Sequence, residues 1–248
     1  MWRHLGIDAE DAATIIGHNP WETVEELLLR KSQIEPIRKP ATPAMVAGRA
    51  NRPAALNAYR ALSGIHNLEP ASVQNIQNPW MIAHPDLMRG YHIADVHCGE
   101  SALEKAHKFG KLPKPYWAEA QHTLMVTGYH RMTVYLHNVD PKMAAKSFEI
   151  HAHKAFQQEL YQAESNFLAQ MQTARAEALA ANEASNDLLE RAQRLEATIQ
   201  AITGTGPKVD LQTFREFVPK FLDRKGCPTE EGILLLRPLA IQKATSGK

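Results

Sequence analysis

The chain has 248 residues, a formal net charge of +1, 44% hydrophobic residues and 22% charged residues. This suits one large globular domain, or a domain with an extension, and excludes a protein drawn to nucleic acid by its overall field, so any DNA-binding surface must be a local patch. Two cysteines, Cys98 and Cys227, without a signal peptide argue for a reducing interior and against a disulfide framework, and no apolar run approaches a membrane span.

Asp11 is placed to cap a short helix, Ala12 to Ile16, ended by Gly17. Thr23 is the expected N-cap of a second helix, Val24 to Lys31, with Glu25 and Glu26 in its first turn. Trp21, after the Asn19-Pro20 turn, is expected to anchor the core or a helix pair. Prolines 36, 40 and 43 mark an irregular connection. A helix from Ala44 to Leu62 follows, with Met45, Leu56, Tyr59 and Leu62 on its buried stripe and Pro53 as a kink.

Residues 66–126 read as a sheet region, with strand-like runs at Pro79 to Ala83 and His92 to Val96. Ser101 to Pro115 is a charged loop or short helix. Its Lys105, Lys108, Lys111 and Lys114 are either phosphate contacts or a solvated lysine-rich surface. Tyr116 to Thr127 predicts a helix stopped by Gly128, with Trp117, Ala120, Leu124 and Met125 inward, and Met132 to His137 a strand. From Lys142 to Thr203 there is neither Gly nor Pro. Apolar or small residues from Phe167 and Met171 to Ile202 recur at three-four spacing, the pattern of a long helix, a helical hairpin or an oligomer contact. A further helix is expected at Asp210 to Arg224, and an apolar piece at Gly232 to Ile241.

The chemistry-bearing stretch runs from His84 to Cys98. Asp86 follows a proline, and Asp95 and His97, two apart in a strand, point to the same face. Two carboxylates with water oxygens suit Mg²⁺ or Mn²⁺, and a cation held there activates water and stabilises a phosphodiester under attack. The competing reading is a surface turn followed by a strand with one exposed acid. A zinc site from His84, His92, His97 and Cys98 is a third reading, although their spacing matches no closed structural pattern.

Four segments in order, GHNPWETVEELLLRK, AGRANRPAALNAYRALSG, PWMIAHPD with ADVHCG, and YWAEAQHTLMVTGYHRMTVYLHNVDP, resemble the YqaJ family of viral recombinases. These are lambda-type alkaline exonucleases of the PD-(D/E)xK nuclease superfamily. The resemblance covers roughly residues 1–170 and implies an α/β nuclease core, a central mixed sheet flanked by helices; the helical C-terminal extension expected at residues 171–248 lies beyond it. The resemblance implies Mg²⁺-dependent 5′→3′ digestion of one strand from double-stranded DNA ends. A ring-like trimer and work beside a single-strand annealing protein are implied as well, in the cytoplasm of a bacterial host and encoded by a phage or prophage.

By the same resemblance, Asp86 and Asp95 are the metal acids, His97 stands where the catalytic lysine belongs, and Gln121 lines the site. Arg3 is expected at the 5′ phosphate. Several departures fall on the chemistry. Glu10 replaces a serine expected at the 5′ phosphate, and Arg52 replaces a helix-borne acid, where a cation opposes metal binding. Asp95 is one methylene shorter than the usual Glu. His97 lacks the permanent charge of lysine. Glu119, where the family often has Gln, offers a compensating carboxylate. Two functions follow: a divergent exonuclease, or a nuclease fold that binds DNA or a protein partner without cleaving.

Overall fold

The computed structural model describes residues 5–33, 40–65, 67–138 and 143–203. The first strand, β1 (Ile7–Asp8), runs directly into α1 (Ala9–Ile15). Asp8 rather than Asp11 is the cap, and the Asp11 carboxylate returns to the Asp8 amide, 3.0 Å away. The helix therefore begins three residues before the expected Ala12. In α2 (Val24–Ser32), Thr23 caps as expected and Glu26 completes the reciprocal pair. Lys31 of α2 is buried; its ammonium donates to the Gly6 carbonyl at 2.6 Å and pairs with Asp11, fastening both helices to the start of β1. Trp21 is 65% exposed and anchors nothing in the core, since the buried residue of this corner is Leu27.

The third helix, α3 (Pro43–Ser63), starts on a Thr42 cap and ends at Gly64, whose φ of +66° is the left-handed region. Pro53 is accommodated within it. Of the expected stripe, Tyr59 is buried and Leu56 partly so, while Met45 and Leu62 face solvent and Ala55 takes the inner position one turn before Tyr59.

A small sheet has the order β1, β3 (Met81–Ala83), β2 (Val73–Gln74), with β1 parallel to β3. The larger sheet has the order β4 (Leu87–Arg89), β5 (His92–His97), β6 (Arg131–Leu136), β7 (Lys146–His151). Only its β5–β6 pair is parallel. That pair needs a crossover, and α4 (Glu100–Phe109) with α5 (Lys114–Thr127) supplies it. The Ser101 to Pro115 stretch is thus mostly helix, because Ala102, Leu103 and Ala106 repeat at helical spacing and are buried.

The Gly- and Pro-free stretch is not helical throughout. Lys146–His151 pairs antiparallel with β6, because Phe148 and Ile150 alternate with Ser147, Glu149 and His151 at strand period. The long helix α6 (Lys154–Thr203) follows; Phe167 and Met171 of its seam are buried against Ile7, Ile15 and Leu27. The expected elements at residues 210–224 and 232–241 lie outside the described residues.

Helices cover both faces of the larger sheet. Leu124 of α5 packs with Ile93, Met132, Val134 and Leu136 on one face. Tyr59 of α3 packs with Leu87, Ala94, Val96 and Tyr135 on the other. The result is a mixed sheet flanked by helices with a long C-terminal helix, as the sequence predicts. The chain divides into two units, Met1–Arg175 and Ala176–Lys248, and the site lies in the first. No helix among the described residues is long and apolar enough to cross a membrane.

Candidate functional site

The β4–β5 hairpin brings the two expected acids together. Asp86 precedes β4, and its backbone N–H donates to Asp95 Oδ1 at 3.2 Å. Its own Oδ2 accepts from the Val96 N–H at 2.8 Å. Strand alternation puts Asp95 and His97 on the same face, while Ala94 and Val96 pack against α3.

The cation at this centre is Arg52. Its guanidinium forms an ion pair with Asp86 Oδ1. The approach is built into the helix: a Cβ at Gly48 would lie 2.9 Å from the Cys98 carbonyl oxygen, so only glycine lets α3 come this close to the end of β5. Arg52 sits one turn later on the same helix face and is carried over Asp86.

His97 rests against Tyr116 of α5, with ring centroids 4.0 Å apart. Its Nε2 has no hydrogen-bond partner, and Glu119 Oε2 is 3.8 Å away. Burial, reinforced by Arg52, lowers the His97 pKa to about 4, so the ring is neutral at neutral pH. Burial pushes the Asp95 carboxyl up to about 7; Asp8 and Glu10 push the same way, and Arg52 opposes them. Glu119 is raised well above the usual carboxylate range by burial, then by Glu10, Asp95 and Asp8. Tyr116 is pushed up to about 12 by burial and by Glu119. Arg52 thus faces a group of acids, two of which resist ionising.

Glu10, at the expected phosphate position, stands within the electrostatic reach of Asp95 and Glu119. Asp8 was not singled out by sequence reasoning. It lies 3.7 Å from His84 Nε2 as well as acting on Asp95. Its signal in the sequence was only that of a helix cap.

Gln121 is fully buried and does not face the acids. Its Nε2 donates to the His151 carbonyl at 2.8 Å, and its Oε1 accepts from the His153 N–H at 2.9 Å, so it ties α5 to the β7–α6 link. The α5 position that faces Asp95 is Glu119. Lys105, Lys108 and Lys111 are exposed on α4 and the turn after it, Lys108 lying 5.3 Å from the Phe109 ring centroid. Arg3 lies outside the described residues.

The residues as placed do not fit a divalent cation. Both oxygens of Asp86 are engaged, one by a guanidinium, and burial pushes the Asp95 carboxyl up to about 7, so a proton competes with a metal for it near neutral pH. Among the described residues no three His, Cys, Asp or Glu side chains come together as a metal-holding group. The zinc reading fails on the same ground: His92 pairs with the Tyr59 hydroxyl at 2.8 Å on the α3 face, opposite His97, and His84 pairs with Ser72.

The family model of the YqaJ-like viral recombinase domain matches residues 1–130. The fold is similar to an alkaline exonuclease from Laribacter hongkongensis at a TM-score of 0.62, with 18% identity over 74% of this chain and 97% of that one. The structure of LHK-Exo in complex with dAMP gives a TM-score of 0.63, at 17% identity over 73% of this chain and 95% of the other. A phage-related exonuclease from Haemophilus somnus 129PT gives 0.52, at 10% identity over 72% of this chain and 96% of the other. No curated protein matches in sequence.

Proposed function

We propose that this chain, which belongs to the YqaJ-like viral recombinase family, engages double-stranded DNA ends with an exonuclease fold whose cleavage centre is closed by its own Arg52. Nuclease-like function is what the family and the fold support, and divalent-metal dependence goes with that family. The Arg52–Asp86 ion pair carries the closed reading. A guanidinium is a permanent cation with several N–H donors, and it satisfies a carboxylate without water or metal. The neutral His97 supplies no compensating charge for a scissile phosphate. The Arg52 side chain is also 47% exposed, and a guanidinium with solvent access suits a DNA phosphate.

The second reading, metal-dependent cleavage, rests on Asp8, Glu10 and Glu119 around Asp95, an acid group that favours a cation once Arg52 swings away. Mg²⁺ or Mn²⁺ would then sit on Asp86 and Asp95. A homotrimer, a single-strand annealing partner and action in a phage-infected bacterial cytoplasm belong to the proposal through the family alone.

The deciding experiment incubates the protein with linear duplex carrying a 5′ phosphate, with Mg²⁺, Mn²⁺ or chelator. The closed reading expects end binding in chelator and no degradation with either metal. Degradation by clean wild-type protein that disappears in Asp86→Ala would refute it and establish the second reading.

A further inference from the structure

The end of the larger sheet farthest from Asp95 along β5 carries a different arrangement. Arg89 of β4 pairs with His92 of β5, and Arg131 of β6 pairs with His151 of β7. Extending the β5–β6 register of Ala94 with Thr133 by two residues sets His92 beside Arg131, and the electrostatic effect of Arg131 on His92 agrees. Paired residues share a face. Four basic side chains therefore form one row across four strands, about 14 Å long at about 4.8 Å per strand gap. Arg89, Arg131 and His151 are exposed. Glu149 faces the Arg131 and His151 part of the row, 3.2 Å from Arg131 and 3.0 Å from His151. Such exposed pairs are weak and exchange readily for a phosphate.

At the hairpin tip between Arg89 and His92 stands Tyr91, 89% exposed. Its ring lies 5.7 Å from that of Tyr129, which is held by a 2.9 Å hydrogen bond from its hydroxyl to the Gly90 carbonyl. Tyr129 also lines a cavity of about 440 Å³ whose wall includes His130, Lys154, Gln157 and Gln158. That volume lies within the range of small-ligand sites. The row lies on the α3 face of the sheet, Tyr129 and its cavity lie on the α5 face, and the exposed Tyr91 stands at the sheet end between them. A flexible single strand can turn over that end and lay a base on an aromatic ring, whereas bases within a duplex stack on one another and offer no free face.

We propose that Tyr91, Tyr129 and the Arg89–His92–Arg131–His151 row form a binding platform for single-stranded DNA, with the cavity behind Tyr129 taking an unstacked base. The platform lies outside the Asp86 centre. It rests on the reading that the protein handles DNA ends, where single strands arise.

The test measures fluorescence anisotropy of labelled oligo(dT) with the full-length protein across a salt series, beside a blunt duplex carrying a 5′ phosphate. Tyr91→Ala should weaken oligo(dT) binding roughly fivefold to a hundredfold. The double variant Arg89→Gln with Arg131→Gln should flatten the salt slope by about 1.4, two contacts at about 0.7 each. All substituted side chains are exposed, and unchanged circular dichroism confirms folding. Wild-type protein that ignores oligo(dT), or variants that bind it like wild type, would overturn the platform. Equal losses for oligo(dT) and duplex would overturn it too, in favour of a duplex-backbone surface. Lost duplex-end binding with oligo(dT) binding intact would sink the end-binding reading and spare this one.

Discussion

Replacing Arg52 by alanine tests the centre directly. Arg52 lowers the pKa of both His97 and Asp95, so its removal must raise both. The His97 value falls from 6.5 to about 4, a drop of roughly 2.5 pH units, and burial is the larger cause. Arg52 is therefore the smaller cause, acting in the same direction as burial. Arg52→Ala should raise His97 above its value of about 4, while burial still holds it below 6.5, and lift Asp95 further above its value of about 7. Titration of the His97 imidazole by NMR reads the first shift, and the Asp95 carboxyl carbon reads the second. The same variant frees Asp86 Oδ1, so calorimetric titration with Mn²⁺ should show binding that wild type lacks. The Arg52 side chain is 47% exposed, and an ion pair of this exposure contributes about 0–1 kcal/mol, so the variant should fold. An unmoved His97 pKa would refute the placement of Arg52 over the site.

The buried pair of His122 and Glu164, 2.6 Å apart and both 0% exposed, should be costly to break. Glu164→Gln is expected to destabilise by about 3–5 kcal/mol in chemical denaturation, because it strands a buried imidazolium. Burial alone would lower the His122 pKa, but Glu164, the Ile82 carbonyl and Asp8 together raise it above 6.5. Its stabilisation is thus complete below pH 6.5 and lost as pH rises through the higher folded value, a loss that His122→Gln should abolish in melting curves taken across pH. Gly48→Ala should cost about 1–3 kcal/mol by forcing α3 off the Cys98 carbonyl. In the same variant, the His97 titration should shift as in Arg52→Ala. Gln121→Leu should lower the unfolding free energy by about 1–3 kcal/mol through the unsatisfied backbone groups at His151 and His153, and leave DNA binding unchanged.

The centre was legible wherever local pattern decides geometry. Asp95 and His97 share a face because strands alternate, and the Pro85-Asp86 step opens a strand that pairs back onto them. Thr23 announced α2 as its cap, with Glu25 and Glu26 in the first turn. Legibility failed where tertiary partners override pattern. Asp8 and Asp11 are both good caps, and the buried ammonium of Lys31 engages Asp11, a contact from another helix. Lys146–His151 lies in a stretch free of Gly and Pro, yet β6 offers it an open edge, and period-two alternation prevailed. Trp21 is apolar in composition but sits on a turn with no core beneath it. Gln121 and Glu119 are two residues apart on one helix, which places them on different faces, so a shift of two residues separates a structural tie from the site. The row of Arg89, His92, Arg131 and His151 is invisible in sequence, because its members are drawn from four strands joined only by register.

Because Gly48 seats α3 against the carbonyl of Cys98, moving the helix away from the centre would open that packed contact. Rotation of the Arg52 side chain releases Asp86 without that loss, a motion of picoseconds to nanoseconds for an exposed group. A metal ion would thus meet a competitor tethered on the same rigid wall and present at constant effective concentration. Its apparent affinity is the intrinsic one scaled by the fraction of molecules in which the side chain is turned out. Shortening or lengthening that one side chain therefore tunes metal affinity continuously, without altering a ligand.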